Sequence, residues 1–101
     1  MCEFKIIKKN DGSQMLEDIV IISYDENSEL ILKDILGMGE IVKSALILDV
    51  NTLTQKCTIV EHPIIKDFIS LITKLSENKT DKSEIDKIIS KLEALKGDLK
   101  S

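Results

Sequence analysis

The residue in this sequence that is best suited to chemistry is the cysteine at position 2. Initiator methionine is commonly removed when the next residue is small, and Cys2 would then carry both a free α-amine and a thiol. An amine nitrogen and a thiolate sulfur on one residue form a five-membered chelate ring around a metal ion. If Met1 is retained, the nitrogen would have to be the deprotonated amide of Cys2, which is harder to form. Cys2 is therefore the candidate metal ligand.

Two other side chains, those of Cys57 and His62, are of types that bind metals. Cys57 lies in the segment KCTIV, where strand alternation places it on the same face as Ile59, and this predicts a small buried apolar residue. His62 is the single histidine and precedes Pro63, which favours extended backbone at an element boundary. We expect Cys57 in the core and His62 at a surface hinge, and both cysteines as reduced thiols.

The basic and aromatic residues argue against a nucleic-acid partner, RNA included. All 14 basic residues are lysines, and only 3% of the residues are aromatic. The chain therefore lacks the planar guanidinium groups that bind phosphates and guanine edges, and it has few rings on which bases could stack.

The apolar segments are short. The longest runs, IVII and SALIL, cannot span a bilayer, and the N-terminal segment does not resemble a secretion signal. We therefore expect a cytoplasmic protein with no membrane insertion.

Residues 3–60 have the pattern of β-strands, with short β-branched runs separated by turn residues. The dipeptide Asp11-Gly12 is a strong hairpin signal, and LGMGE breaks the chain with two glycines. Five strands are predicted, in EFKIIKK, MLEDIVIISYD, ELILKDI, EIVKSALILDV and KCTIVE. Over residues 1–62 they predict a small antiparallel β-barrel, a mainly β fold whose filled interior leaves functional sites to edges, loops and termini.

The hydrophobic period changes to that of helices at Pro63. Proline suits the first position of a helix, and the segment DKSE at 81–84 resembles a capping box at the start of a second helix. Residues 63–101 are therefore predicted to form an α-helical hairpin. Its apolar stripes consist of Ile65, Phe68, Ile69, Ile72 and Leu75 in the first helix and Ile85, Ile88, Ile89, Leu92 and Leu95 in the second, a pattern that Leu99 could extend.

The apolar stripes of the two helices must be covered by some other surface. Stripes of this kind usually face a core, so we expect the helices to pack on each other and on the barrel. An interface with a second copy or another partner is the alternative.

Several motifs of residues 1–62 resemble the CooT family of small nickel-binding proteins. They are the opening Met1-Cys2-Glu3, the turn with Gly12, and the segments MLEDIVIIS, LKDILGMGEIV and LILDVNTLTQKCTIVE. The resemblance implies an SH3-like β-barrel that forms a homodimer and binds one Ni(II) between two subunits through the N-terminal cysteine. It also implies an accessory role in maturing the apo-enzyme of nickel carbon monoxide dehydrogenase. By position, the metal-binding role falls on Cys2 alone.

Two copies of Cys2 would supply two sulfurs and two nitrogens, a donor set that suits square-planar Ni(II). Because the ligand is the thiolate, binding releases protons and weakens as the pH falls. Glu3, adjacent in sequence, would raise the local cation concentration. Its side chain is expected to point away from that of Cys2 in an extended strand, so it is not expected to be a direct ligand.

Two other functions use the same features differently. An N-terminal cysteine can be a nucleophile with its own α-amine as base, but a small filled barrel offers neither an oxyanion site nor a substrate cleft, so we do not expect an enzyme. In the second alternative, the protein is a non-catalytic adaptor whose C-terminal helices dock a partner.

Overall fold

The computed structural model describes residues 2–99, which form seven strands followed by two helices. The strands are β1 (Phe4–Lys8), β2 (Ser13–Ile19), β3 (Ile21–Tyr24), β4 (Leu30–Lys33), β5 (Gly39–Val42), β6 (Ala45–Asn51) and β7 (Lys56–Glu61), and the helices are α1 (Pro63–Ser76) and α2 (Lys82–Asp98). We refer to residues 4–61 as the β region and to α1 and α2 as the helical hairpin. Within residues 2–99, no helix is long and apolar enough to cross a membrane.

The strands form two sheets. One has four strands in the order β2-β1-β7-β6, and the other has three in the order β3-β4-β5. Strands β1 and β7 run parallel, whereas the other pairs are antiparallel. The mainly β fold with two C-terminal helices is confirmed. The SH3-like barrel is not, because the strands of residues 2–99 form two separate sheets with no closed barrel.

The expected number of about five strands was wrong because two of the predicted strands are each divided. MLEDIVIISYD becomes β2 and β3, which separate at Val20, and EIVKSALILDV becomes β5 and β6, which separate at Lys43 and Ser44. At both points the chain passes from one sheet to the other. Near the first, Asp18 has a φ of 59°, so the backbone leaves the regular strand conformation just before the crossing.

The core lies in the β region and draws on both sheets. Leu30 and Leu32 are both fully buried. Cys57 and Ile59 are fully buried as well, so the predicted sharing of a face by this second pair is confirmed. The buried cluster comprises Ile6, Ile19, Leu30, Leu32, Val42, Ala45, Cys57 and Ile59.

A tyrosine joins the two sheets at one edge of this core. The hydroxyl of Tyr24, on β3, donates to the carbonyl oxygen of Ala45 at 2.7 Å and accepts from the backbone N–H of Ile47 at 3.2 Å. Ala45 and Ile47 belong to β6 of the other sheet, so these two hydrogen bonds connect the sheets directly.

The helix starts follow the sequence signals. Pro63 opens α1, and Nδ1 of His62 accepts from the backbone N–H of Ile64 at 3.1 Å. Asp81 caps α2, with its side chain accepting from the backbone N–H groups of Ser83 and Glu84. These bonds satisfy backbone donors that have no partner within the helix.

The expectation that the apolar stripes are covered by the other helix and by the β region is only partly met. Leu71 of α1 and Ile88 of α2 are buried where the helices meet. Because α2 packs mainly against α1, six residues of the stripes stay 38–51% exposed. The radius of gyration is 15.7 Å, above the roughly 13 Å expected for a compact chain of this length, as a projecting hairpin would produce.

Candidate metal centre

Cys2 lies two residues before β1, and its side chain is exposed. The start of β1 is held on two sides. Phe4 pairs with Ile19 at the end of β2, and the backbone N–H of Lys5 donates to the carbonyl oxygen of Gln55 at 2.9 Å. The thiol therefore lies just before a strand whose start is held by hydrogen bonds at one end of the β region.

A turn and a loop at this end of the β region carry exposed apolar side chains. The turn between β6 and β7 ends beside Lys5 and carries Leu53, which is 95% exposed. The backbone N–H of Val20, next to Ile19, donates to the carbonyl oxygen of Lys33, where the loop between β4 and β5 begins. We call the exposed large apolar residues of this turn and loop the apolar end. They are Ile35, Leu36, Met38 and Leu53.

The loop between β4 and β5 is ordered by one aspartate. A side-chain oxygen of Asp34 accepts from the backbone N–H groups of Leu36 and Met38, both at 2.9 Å. Gly37, between them, has a φ of 82°, a conformation that side chains other than glycine rarely adopt. The apolar side chains of this loop are therefore presented by a defined turn.

Carboxylates lie near the start of β1. Glu3 and Asp18 both line a shallow cavity of about 210 Å³ that also contacts Gln55. Both residues are exposed, and although Lys5 lines the same cavity, the two carboxylates leave it with a net negative charge close to Cys2. This charge favours the approach of a cation.

Cys57 is fully buried in the core, which confirms the expectation for it. Burial raises the pKa of its thiol, and the nearby carboxylate of Asp49 raises it further. Because metals bind the thiolate, a buried thiol that resists ionisation is a poor ligand.

His62 lies far from Cys2. It follows β7, which runs parallel to β1, and Lys5 pairs with Lys56 at the opposite end of β7. Six residues of extended chain separate Lys56 from His62, a distance of roughly 20 Å. The structure therefore does not bring His62 and Cys2 into one site, and it places His62 at the exposed boundary that the sequence predicted.

Within residues 2–99, no three His, Cys, Asp or Glu side chains are grouped closely enough to hold a metal ion. The chemically active group at this end is thus a single exposed thiol with acidic neighbours. A set of four ligands built on it needs backbone or terminal nitrogen, or atoms from a second chain.

These features define a small β-rich module with an exposed thiol ahead of its first strand. A family model described as CO dehydrogenase accessory protein CooT matches residues 1–60. The chain belongs to this family, and the resemblance seen in the motifs is confirmed. Family membership supports an accessory role toward CO dehydrogenase. A search of curated proteins found no matching sequence.

Sequence reasoning missed the apolar end. The signal was present in LGMGE, where large apolar residues stand inside a glycine turn, a position in which loops usually carry polar residues. Its closeness to Cys2 depends on pairing between strands that are distant in sequence, which the hydrophobic pattern does not show.

Proposed function

We propose that this protein is a nickel-binding accessory protein for CO dehydrogenase in which Cys2 residues from two chains bind one Ni(II) between them. The proposal depends most on one observation: in a chain of the CooT family, Cys2 is an exposed thiol at an end of the β region where a turn and a loop also carry exposed apolar residues.

The donor atoms of two Cys2 residues suit Ni(II). With Met1 removed, each chain offers a thiolate sulfur and an amine nitrogen in one five-membered chelate ring. A two-fold axis through the metal would give two sulfurs and two nitrogens, which match the square-planar preference of Ni(II). Few other metal-binding side chains lie near Cys2, but none is needed, because one Cys2 from each chain supplies all four donor atoms of the square plane.

The apolar end supports a homodimer at this site. Leu36, Met38 and Leu53 are 83%, 67% and 95% exposed, and apolar surface of this kind is characteristic of interfaces. Pairing two chains at this end would cover these side chains and bring the two Cys2 residues together. The protein would thus supply both the ligands and the surface that joins them.

A surface site suits an accessory role. The core of the β region is filled with apolar side chains, so a metal held by Cys2 lies outside the core, where the two chains meet. There, the ligands of an apo-enzyme can replace those of the accessory protein one at a time. We place this exchange in the cytoplasm, where a reducing environment keeps Cys2 a thiol.

Nickel titration of protein with its native N-terminus tests the proposal. We expect one Ni(II) per two chains, with sulfur-to-nickel charge-transfer absorption. Cys2→Ser should lose both signals, because its hydroxyl does not replace the thiolate. Cys57→Ala, which removes the other thiol, should retain both. Equal nickel affinity in the wild type and in Cys2→Ser would refute the role of Cys2.

A second variant tests the nitrogen ligand. Two residues added before Met1 prevent formation of a free amine on Cys2 but leave its thiol in place. We expect weaker nickel binding and a changed absorption spectrum. An unchanged spectrum would show that the α-amine is not a ligand.

A further inference from the structure

The helical hairpin has one broad apolar face. Successive residues of an α-helix are rotated by about 100°, so residues spaced by four and three positions share a face. Both helices show this spacing to one side of the buried residues Leu71 and Ile88, which line one cavity between the helices. Because the two helices are antiparallel, the two stripes lie on the same side of the hairpin. We call this surface the hairpin face, and it consists of Phe68, Ile72 and Leu75 from α1 and Ile85, Ile89 and Leu92 from α2.

The opposite side of the hairpin is polar. There, Lys91 contacts Asp67 at 2.6 Å, and Lys74 contacts Glu84 at 2.9 Å. Ion pairs between the helices therefore lie on one side of the contact between α1 and α2, and apolar side chains lie on the other side. The hairpin is therefore apolar on one side only.

The β region attaches to the hairpin elsewhere. The hydroxyl of Ser44 accepts from the backbone N–H of Lys66, and the Lys66 ammonium contacts Glu29 at 2.9 Å. On the helical wheel of α1, Lys66 points away from Leu71 and hence away from α2. The hairpin face therefore lies beside the β region without being covered by it, as the exposure of its six residues shows.

We propose that the hairpin face binds the hairpin face of a second copy of this chain, so that the two hairpins form a four-helix bundle. Two antiparallel helices with adjacent apolar stripes form half of such a bundle, and a second hairpin supplies the other half. Bundles of this kind pack their helices nearly aligned, with side chains of one layer fitting between those of the next.

The exposed area is sufficient for such a contact. Six large side chains that are about half exposed leave on the order of 500 Å² of apolar surface per chain. Two copies would bury about 1,000 Å² from these residues alone, the lower bound for a specific interface, before any contribution from the rim. A patch of this size also lies at the upper end for a surface that stays exposed in a monomer.

The chemistry of the face favours a second copy over a different protein. In a two-fold dimer the same patch of both copies is in contact. A charged residue in the patch would therefore lie near the same residue, or an adjacent one, of the other copy. On α2 the same spacing places Lys82 and Lys96 at the two ends of the stripe, so charges lie at the rim of the face and its six central residues meet their own copies without repulsion.

This contact is independent of nickel, so it can be tested separately from the proposed function. The molar mass of full-length protein is measured by light scattering in the presence of EDTA, over a range of concentrations. We expect a dimer for the wild type and for Cys2→Ser. Ile72→Glu combined with Ile89→Glu should raise the dissociation constant of the dimer roughly 100-fold or more, because it would bury charges in an apolar contact.

Ser90→Glu is the matched control, since Ser90 is an exposed neighbour of Ile89 that lies outside the hairpin face. It should leave the dissociation constant unchanged. Hydrogen exchange of the wild type at low and high concentration needs no variant, and we expect amide protection in α1 and α2 to rise with concentration. A wild type that is monomeric in EDTA at high concentration, or a double variant that dimerises as tightly as Ser90→Glu, would overturn the proposal.

Discussion

At the scale of single residues, the two cysteines have opposite environments. Cys2 is exposed ahead of β1, whereas Cys57 is fully buried among the apolar side chains of both sheets. Their sequence contexts predicted this difference, because Cys57 alternates with Ile59 in a β-branched run and Cys2 precedes the first strand. The chemistry follows from burial. The exposed thiol is accessible to a metal ion, and the buried one acts as a small apolar residue.

The burial of Cys57 gives a prediction for two substitutions. Cys57→Ser should lower the free energy of unfolding by roughly 1–3 kcal/mol, because it leaves a hydroxyl without a partner in an apolar site. Cys57→Ala should cost less, since it introduces no polar group. Urea unfolding monitored by circular dichroism measures both. Equal stability of the two variants would contradict the apolar environment assigned to this residue.

The raised pKa of Cys57 also predicts a dependence on pH. A thiol whose pKa is higher in the folded state than in the unfolded state stabilises the fold fully at pH values below the unfolded pKa. This contribution is lost as the pH rises, because the unfolded chain then releases the proton more easily. We expect the stability of the wild type to fall above the ordinary thiol pKa of 9.0. The part due to Cys57 should be absent in Cys57→Ala, and identical alkaline profiles would contradict it.

At the scale of elements, the sequence predicted the helices better than the sheets. The helix starts at Pro63 and Asp81 depend on local signals, a proline and a capping side chain, and both were correct. The strands were located, but two of the predicted strands each correspond to two separate strands in the structure. The pattern of alternation continues while the chain changes sheets, and only pairing with distant strands shows where the change occurs.

Two glycines give opposite predictions at this scale. A Cβ on Gly39 would lie 1.9 Å from the carbonyl oxygen of Leu32 on the neighbouring strand, so Gly39→Ala should separate β4 from β5 and destabilise the protein. Gly97 is the second-last residue of α2, and apart from its chain neighbours and the backbone of its own helix no atom lies within 4 Å of such a Cβ. Gly97→Ala should therefore raise the helix stability by roughly 0.5–1 kcal/mol. Thermal melts of both variants test the pair, and melting temperatures that shift in the same direction would contradict this account of the backbone.

At the scale of the whole molecule, the chain consists of a β region with an apolar end beside Cys2 and a helical hairpin that projects from it. The helical stripes were identified from the sequence, but their exposure was not predicted. The sequence shows that a stripe must be covered, whereas what covers it depends on how α1 attaches through Ser44 and Lys66. The family match likewise ends at residue 60, so the hairpin is the part of this chain that the family pattern does not describe.

The contact between the two sheets gives a prediction for the molecule as one unit. Tyr24→Phe removes the hydroxyl that binds Ala45 and Ile47 of the other sheet. We expect a loss of roughly 1–3 kcal/mol in the free energy of unfolding, because both backbone groups lose a partner in a half-buried site. The unfolding transition measured in urea should shift to lower concentration with its slope unchanged. No shift would mean that the tyrosine does not join the sheets.

Native mass spectrometry of the nickel-loaded protein with an unmodified N-terminus tests the central claim most directly, because one mass reports the number of chains, the number of metal ions and the fate of Met1. We predict one nickel ion for every two chains, each chain lacking Met1, and no nickel retained by Cys2→Ser. One nickel ion bound to each single chain, or nickel retained by Cys2→Ser, would contradict a site that two Cys2 residues share.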